Sequence, residues 1–253
     1  MIYLKNIFTP EFAEICGIHA GDGYLRNDGK RREWDISGSV HEKEYYNNHV
    51  IPLFNKAFSL EIKGRFFPNR NTYGFVIRDK EVIEFAHDIL NFPYGAKSLI
   101  VKIPDFILKN VSLMPHFLRG YFDTDGGFSC SKKHGNYSKF KRTFHFYPRV
   151  NFSTVSRPLS KDLALLLNSL QIRFCYTTYQ PKRKTESLKY RYELNGIKRT
   201  KKFTNWIKPR NSTKMSRFWI WKKFGFCPTN ITYQQKKDIL IGKIDPHIFY
   251  KGL

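Results

Sequence analysis

FLRGYFDTDGGF, residues 117 to 128, sets two aspartates and two glycines directly behind an apolar run. By itself the string fits several unrelated sites, with either Asp123 or Asp125 as the leading acid. A second stretch decides between them. EICGIHAGDGYL, residues 14 to 25, has the same rhythm: an apolar segment, a glycine, then a carboxylate followed by Gly, any residue and an apolar one. Asp125 has Asp22 as its counterpart, whereas Asp123 aligns with Ala20. Asp22 and Asp125 are the pair to explain.

The segments behind the two copies also agree. EWDISGSV (33 to 40) and TFHFYPRVNFSTV (143 to 155) alternate as half-buried strands, with Trp34, Ile36 and Val40 on one face of the first and Phe144, Phe146, Val150 and Phe152 on one face of the second. Helix-like segments come next, HEKEYYNNHVIPLFNKAF and RPLSKDLALLLNSL, and then a second pair of strands in each half: EIKGRFF with TYGFVIRD, and RFCYTTY with KYRYELNG. Short helices FAHDIL and FTNWIK each lead to a lone lysine, Lys97 in GAKS and Lys214 in STKMS. Each half reads α-β-β-α-β-β-α, an α+β chain with internal pseudo-symmetry. IPDFILKNVSLMP, bracketed by Pro104 and Pro115, is the natural linker. The expected division is 1–103, linker 104–115, and 116–253 with additional terminal helices.

Charge narrows the partner. Among 253 residues, 44 Lys and Arg face 21 Asp and Glu, a net charge of +23 that favours a polyanion. Nucleic acid leads over an anionic membrane surface, because no apolar run approaches the roughly 20 residues of a membrane helix and no signal-like segment opens the chain. Cys16, Cys130, Cys175 and Cys227 form no C-x-x-C pair, which excludes a zinc knuckle and fits buried thiols in a reducing, intracellular setting.

The polar strand faces are one-sided in chemistry. KYRYELNG shows Lys189, Arg191, Glu193 and Asn195 opposite its apolar face, and the 143 to 155 strand shows Thr143, His145, Tyr147, Arg149, Asn151 and Ser153. In the first half Arg26, Asp35, Ser37, Arg65 and Arg78 take such positions, with Arg70 in the turn between two strands. Donors of this kind at alternate positions suit a sheet laid in a major groove. The hairpin tips are more basic still: Lys30, Arg31 and Arg32; Lys132 and Lys133; Lys139, Lys141 and Arg142; Lys182, Arg183 and Lys184. Those suit phosphates, which give affinity without sequence discrimination.

An Asp-Gly pair most often marks a helix stop and a turn. Yet a carboxylate at a helix C-terminus meets the negative end of the macrodipole, at a cost of about 0.3–1 kcal/mol, and here it does so twice. Gly17-x-x-x-Gly21 and Gly120-x-x-x-Thr124 place small residues on one helical face, so two such helices can cross with backbones nearly touching. Asp22 and Asp125 then end side by side. Paired hard oxygen ligands suit Mg²⁺, and the orphaned carbonyls of Gly21 and Thr124 could complete its coordination.

ICGIHAGDG (15 to 23) and LRGYFDTDG (118 to 126) resemble the two motif copies of monomeric LAGLIDADG homing endonucleases, and the resemblance runs nearly end to end. It implies two four-stranded antiparallel sheets forming a saddle over double-stranded DNA, and cleavage of both strands of a long, near-palindromic site. Asp22 and Asp125 would be the metal-binding acids, with Mg²⁺ as cofactor and Mn²⁺ or Ca²⁺ able to substitute. Lys97 and Lys214 best match the family's central basic residues, with Lys102 and Lys243 as the rival pair, while His41 and Ser156 match positions that help order water. The chain ends lack a splicing nucleophile and a terminal His-Asn, so a free-standing or intron-encoded monomer is expected. The same fold also serves cleavage-inactive DNA-binding proteins and maturases that bind intron RNA.

Other readings fail on particular residues. FDTDGGF resembles the opening of haloacid-dehalogenase phosphatases, but Gly127 stands where Thr is usual and Ala20 replaces the first acid in the repeat. A calcium loop of the EF-hand type would need Glu where His134 stands. Gly21-Asp22-Gly23 lacks the third glycine of a dinucleotide loop.

Overall fold

A computed structural model describes residues 6–134, 139, 142–183 and 185–250. The first half runs α1 (Pro10–Asp22), β1 (Gly23–Asn27), β2 (Arg32–Ser39), α2 (Lys43–Tyr45), α3 (Ile51–Phe58), β3 (Arg65–Phe67), β4 (Thr72–Ile77) and α4 (Lys80–Asp88). A one-turn α5 (Asp105–Leu108) lies between the halves. The second runs α6 (Met114–Thr124), β5 (Gly127–Ser131), β6 (Tyr147–Thr154), α7 (Arg157–Ser169), β7 (Cys175–Tyr179), β8 (Lys189–Asn195) and α8 (Ile197–Ile207), followed by α9 (Ser212–Phe224) and α10 (Tyr233–Leu240). The two sheets are antiparallel and have matching orders, β1-β2-β4-β3 and β5-β6-β8-β7. Each motif helix feeds the first strand of its sheet: Gly23 pairs with Ile36, and Gly127, the counterpart of Tyr24, pairs with Asn151 as Tyr24 pairs with Asp35.

α1 starts where Thr9 accepts a hydrogen bond from Phe12 N, with Pro10 in the first turn. Every residue from Phe12 to Ala20 is buried, because α1 packs on its own sheet and on α6 at once. A helix enclosed in this way carries no polar face. Contact between α1 and α6 is closest at the glycines. A methyl group on Gly17 would overlap the Phe117 carbonyl and lie 2.8 Å from Tyr121 N; one on Gly120 would overlap the Glu14 carbonyl and lie 2.8 Å from Ile18 N. Only glycine permits this crossing.

Around the pair, Trp34, Phe54, Phe58, Phe75 and Phe85 fill the first half and Tyr121, Phe122, Phe152 and Phe203 the second, within one continuous core. One charged cluster is buried at the crossing. Glu14 takes Arg119 Nη1 at 2.9 Å and His49 Nε2 at 2.5 Å. Burial raises the Glu14 carboxyl, but His49 and Arg119 outweigh it and hold the group below the usual carboxylate range.

Two expectations need correction. The strand expected over 143–155 begins only at Tyr147, because Phe144 packs on Phe226 and Tyr250 while His145 Nδ1 shares a hydrogen bond of 2.7 Å with the Tyr250 hydroxyl. Alternation is present there, but a distant aromatic cluster captures it. The helix read as FTNWIK is the end of a longer α8 that starts at Ile197. Lys141 and Lys184 lie outside the described residues. Among the described residues, no helix is long and apolar enough to cross a membrane, and all four cysteines are free.

Candidate functional site

α1 and α6 end side by side, and Asp22 and Asp125 stand at those ends. A methyl on Gly21 would overlap the Thr124 side chain and lie 3.3 Å from the Asp125 carboxyl carbon, which shows how close the two motif ends come. Asp22 is half-buried, while Asp125 is open to solvent on one side and walled by protein on the others. Burial first, then the charges of Asp125 and Glu42, push the Asp22 carboxyl up to about 7, against the lowering pull of Tyr46 and Lys214. Burial also raises Asp125, with Lys214 and Lys97 opposing. Two carboxylates this near resist joint ionisation.

Lysines sit on the helix ends that carry the acids. Lys97 Nζ donates to the carbonyls of Ala20 (3.0 Å) and Gly21 (2.8 Å). Lys214 Nζ donates to the carbonyls of Thr124 and Gly126, the latter at 3.0 Å. Each cation thus satisfies orphan carbonyls at the negative end of its own motif helix and offsets the unfavourable placement of the Asp there. Burial pulls the Lys97 ammonium below its ordinary value, and Asp125 and Asp22 draw it back up. The carbonyls of Gly21 and Thr124 are therefore in use by lysines, each with a second lone pair remaining.

The alternatives lie elsewhere. Lys102 is exposed and reaches Asp105 at 3.9 Å, while Lys243 sits in the turn after α10, its backbone N–H bonded to Asp238. Ser156 is fully buried as the N-cap of α7: its hydroxyl accepts from Leu159 N and donates to the Val101 carbonyl, which commits its only proton. His41 is exposed, with its carbonyl taken by Thr213. Asp123 is buried away from the pair: Oδ2 accepts from Arg210 N at 2.7 Å and its carbonyl from Asn211 Nδ2.

Sequence reasoning missed the residues that surround Asp22. Tyr46, wholly buried, donates its hydroxyl to Asp22 Oδ2 at 2.7 Å. A side chain on Gly38 would collide with that oxygen, with Glu42 Oε2 and with the Tyr46 hydroxyl, so three polar groups converge over a bare backbone. Glu42 is held by Ser39 N and by Asn211, the N-cap of the helix that carries Lys214. Asn211 before Ser-Thr was a readable cap; its partners in the other half were not.

The outward sheet faces carry the polar residues expected there. On the first, Arg26, Asp35, Ser37, Arg65 and Arg78 project opposite the buried Leu25, Trp34 and Ile36. Several are held in place by carboxylates: Arg70 by Asp35 at 2.8 Å, Arg78 by Glu33 at 2.8 Å and Arg26 by Asp28 at 2.5 Å. On the second, Tyr147, Arg149, Asn151, Lys189 and Arg191 project opposite Val150, Phe152 and Tyr192. Lys30, Arg31, Arg32, Lys133, Lys139, Arg142, Lys182 and Arg183 are exposed at the hairpins, with Lys132 half-exposed. His145 leaves this face for Tyr250. Beside Asp125, a cavity of about 320 Å³ is lined by Lys97, Ser98, Ser153, Thr154 and Lys189.

Two motif helices in backbone contact, each ending in a carboxylate beneath its own four-stranded sheet, define a two-motif single-chain architecture. Residues 113–208 match the model of the LAGLIDADG-like domain. The LAGLIDADG meganuclease I-AabMI, solved bound to uncleaved DNA, superposes with a TM-score of 0.55 over 97% of this chain and 99% of that one, at 13% identity. I-DmoI, solved with DNA and Mn, gives 0.51 over 80% and 97%, at 17% identity. The replication factor C small subunit of Methanocaldococcus jannaschii is 28% identical over 167 residues. That match covers 66% of this chain and 8% of that protein. Residues 113–208 thus carry a LAGLIDADG-like domain, and the fold of the whole chain is that of the solved LAGLIDADG meganuclease I-AabMI.

Proposed function

We propose that this chain is a metal-dependent endonuclease that cuts both strands of duplex DNA within a long, near-palindromic site. One observation carries the reading: Asp22 and Asp125 converge at the adjoining ends of two helices in backbone contact, beneath two basic sheets. The donor set fits a divalent cation. Burial raises both carboxyls, and Asp22 is raised also by the charges of Asp125 and Glu42, so Lys97 and Lys214 offset the paired negative charge only in part. Hard oxygens of this kind favour Mg²⁺, with Mn²⁺ or Ca²⁺ as substitutes. Asp22 and Asp125 would hold it, aided by the free lone pairs of Gly21 and Thr124. Such an ion supplies charge neutralisation at the scissile phosphates and an activated water.

The chain's own residues do the rest. Lys97 and Lys214 bring positive charge to the base of the saddle, where charge builds on phosphate oxygens. Tyr46 fixes the orientation of Asp22. Neither Asp needs to act as general base. Arg and Lys at the hairpins hold the DNA backbone, and the sheet faces read bases directly and through the cost of bending. Pseudo-symmetry of the two sheets supports a near-palindromic target, and free cysteines fit action inside the cell.

The test is incubation with a randomised duplex library and Mg²⁺, with sequencing of the cut ends. A recurrent cut site is the expected result. Duplex binding without cleavage under any divalent metal would replace this reading by that of a binding protein.

A further inference from the structure

α8 has an outer face that the saddle does not use. Its inward residues Thr200, Phe203, Thr204 and Ile207 are buried, and Phe203 packs on Phe122 and Phe152 at centroid distances of 5.3 and 5.5 Å. Those rings lie on the core side of the second sheet. The opposite side of α8 therefore points away from the face that carries Tyr147, Arg149, Asn151, Lys189 and Arg191. There Lys198, Lys201, Lys202, Asn205, Trp206 and Lys208 are exposed, at a spacing that makes one stripe.

The stripe departs from an ordinary solvated helix face in two ways. Such a face usually mixes signs and carries i,i+4 ion pairs, yet the chain from Gly196 to Lys237 contains neither Asp nor Glu. Its positive charge has no carboxylate on α8 or α9 to meet. In its midst Trp206 keeps 44% of its surface in water. The Lys202 ammonium lies 5.6 Å from that ring's centroid while donating to the Gln171 carbonyl at 3.1 Å, so an aromatic plane and a cation are held together.

We propose that this face binds a single-stranded polynucleotide, with Lys198, Lys201 and Lys208 on its phosphates and one base stacked on Trp206. Charge selects a polyanion. The exposed indole selects a single strand, because a base in a duplex has both faces covered whereas an unstacked base offers one. An acidic protein segment would satisfy the lysines and leave the ring unused. This site is separate from the saddle, and neither depends on the other for occupancy.

The experiment uses the full chain and a fluorescein-labelled oligonucleotide of about 12 nucleotides, in DNA and RNA forms, with anisotropy read in EDTA. It is run with and without saturating unlabelled duplex. The oligonucleotide is expected to stay bound when duplex fills the saddle, and the tighter of the two arms names the strand chemistry. Trp206→Ala and the double change Lys201→Glu with Lys202→Glu should each weaken it about tenfold or more, with duplex affinity of Trp206→Ala unchanged. Trp206→Phe should keep most of the binding.

Displacement of the oligonucleotide by duplex in step with duplex binding overturns the proposal. Unchanged affinity in both variants, or equal competition by an oligo-glutamate peptide, does so as well. The readout needs no metal and no cleavage, so a chain that binds the oligonucleotide but never cuts duplex defeats the endonuclease reading alone.

Discussion

The two carboxylates of the motif pair have different surroundings, although the helices that carry them are related by a repeat. Asp22 is half-buried, hydrogen-bonded by Tyr46 and crowded by Glu42, with its carboxyl pushed up to about 7. Asp125 opens onto a cavity of about 320 Å³ lined by Lys97 and Lys189. The helices differ in the same sense: Glu14 on α1 occupies the repeat position that Phe117 holds on α6, and draws in Arg119 and His49. A duplicated motif reproduces backbone geometry, whereas each half supplies its own neighbours. The two sites should therefore respond unequally to the same kind of change.

The largest effect tests what they share. Asp22→Asn and Asp125→Asn should each lower double-strand cleavage by about a hundredfold or more, measured in single turnover on a cut site taken from the library. Survival of wild-type cleavage in either variant would remove that acid from the site.

Next comes the crossing itself. Gly120→Val should destabilise the fold by about 3 kcal/mol or more, because the Glu14 carbonyl leaves no room for a side chain; urea unfolding measures it. Glu14→Gln should cost a similar amount, about 3 kcal/mol, as Arg119 loses its buried partner. The sign with pH comes from a carboxyl held low in the folded state. Its stabilisation is complete above the unfolded value, about 4.3, and disappears as pH falls through the folded one. Glu14→Gln should flatten that acid limb of stability against pH.

A smaller change separates the two sites. Tyr46→Phe removes a hydrogen bond that lowers the Asp22 carboxyl, so protons should compete with divalent cations at Asp22 up to a higher pH. In the metal-free native chain the Asp22 carboxyl is already pushed up to about 7. Metal-binding isotherms against pH should show one shifted site and one unchanged, with nicking of one strand slowed about tenfold. Equal slowing of both strands would contradict the asymmetry. Smallest of all, Lys102→Ala should leave cleavage intact, since Lys102 touches neither motif end.

Much of this was legible in the chain. Asp22 and Asp125 were identified by alignment of the copies, because the small residues that let helices touch must recur wherever the crossing does. The succession of strands along the chain and the basic sheet faces came from alternation and charge. The strand start at Tyr147 was not legible, since the aromatic partners of Phe144 and His145, Phe226 and Tyr250, lie about 80 to 105 residues further along the chain. Nor was the bond from Ser156 to the Val101 carbonyl legible, because Val101 is far away in sequence.

By itself the sequence determined the repeat, the acid pair, the packing glycines and the excess of positive charge, all properties of local pattern and composition. Tertiary structure alone decided that Lys97 and Lys214 rest on the motif carbonyls, that Tyr46 holds Asp22, and that the lysines around Trp206 face away from the saddle. Each of those depends on which distant segments meet at a helix end or sheet face. Periodicity within a segment carries no record of the partner across the core.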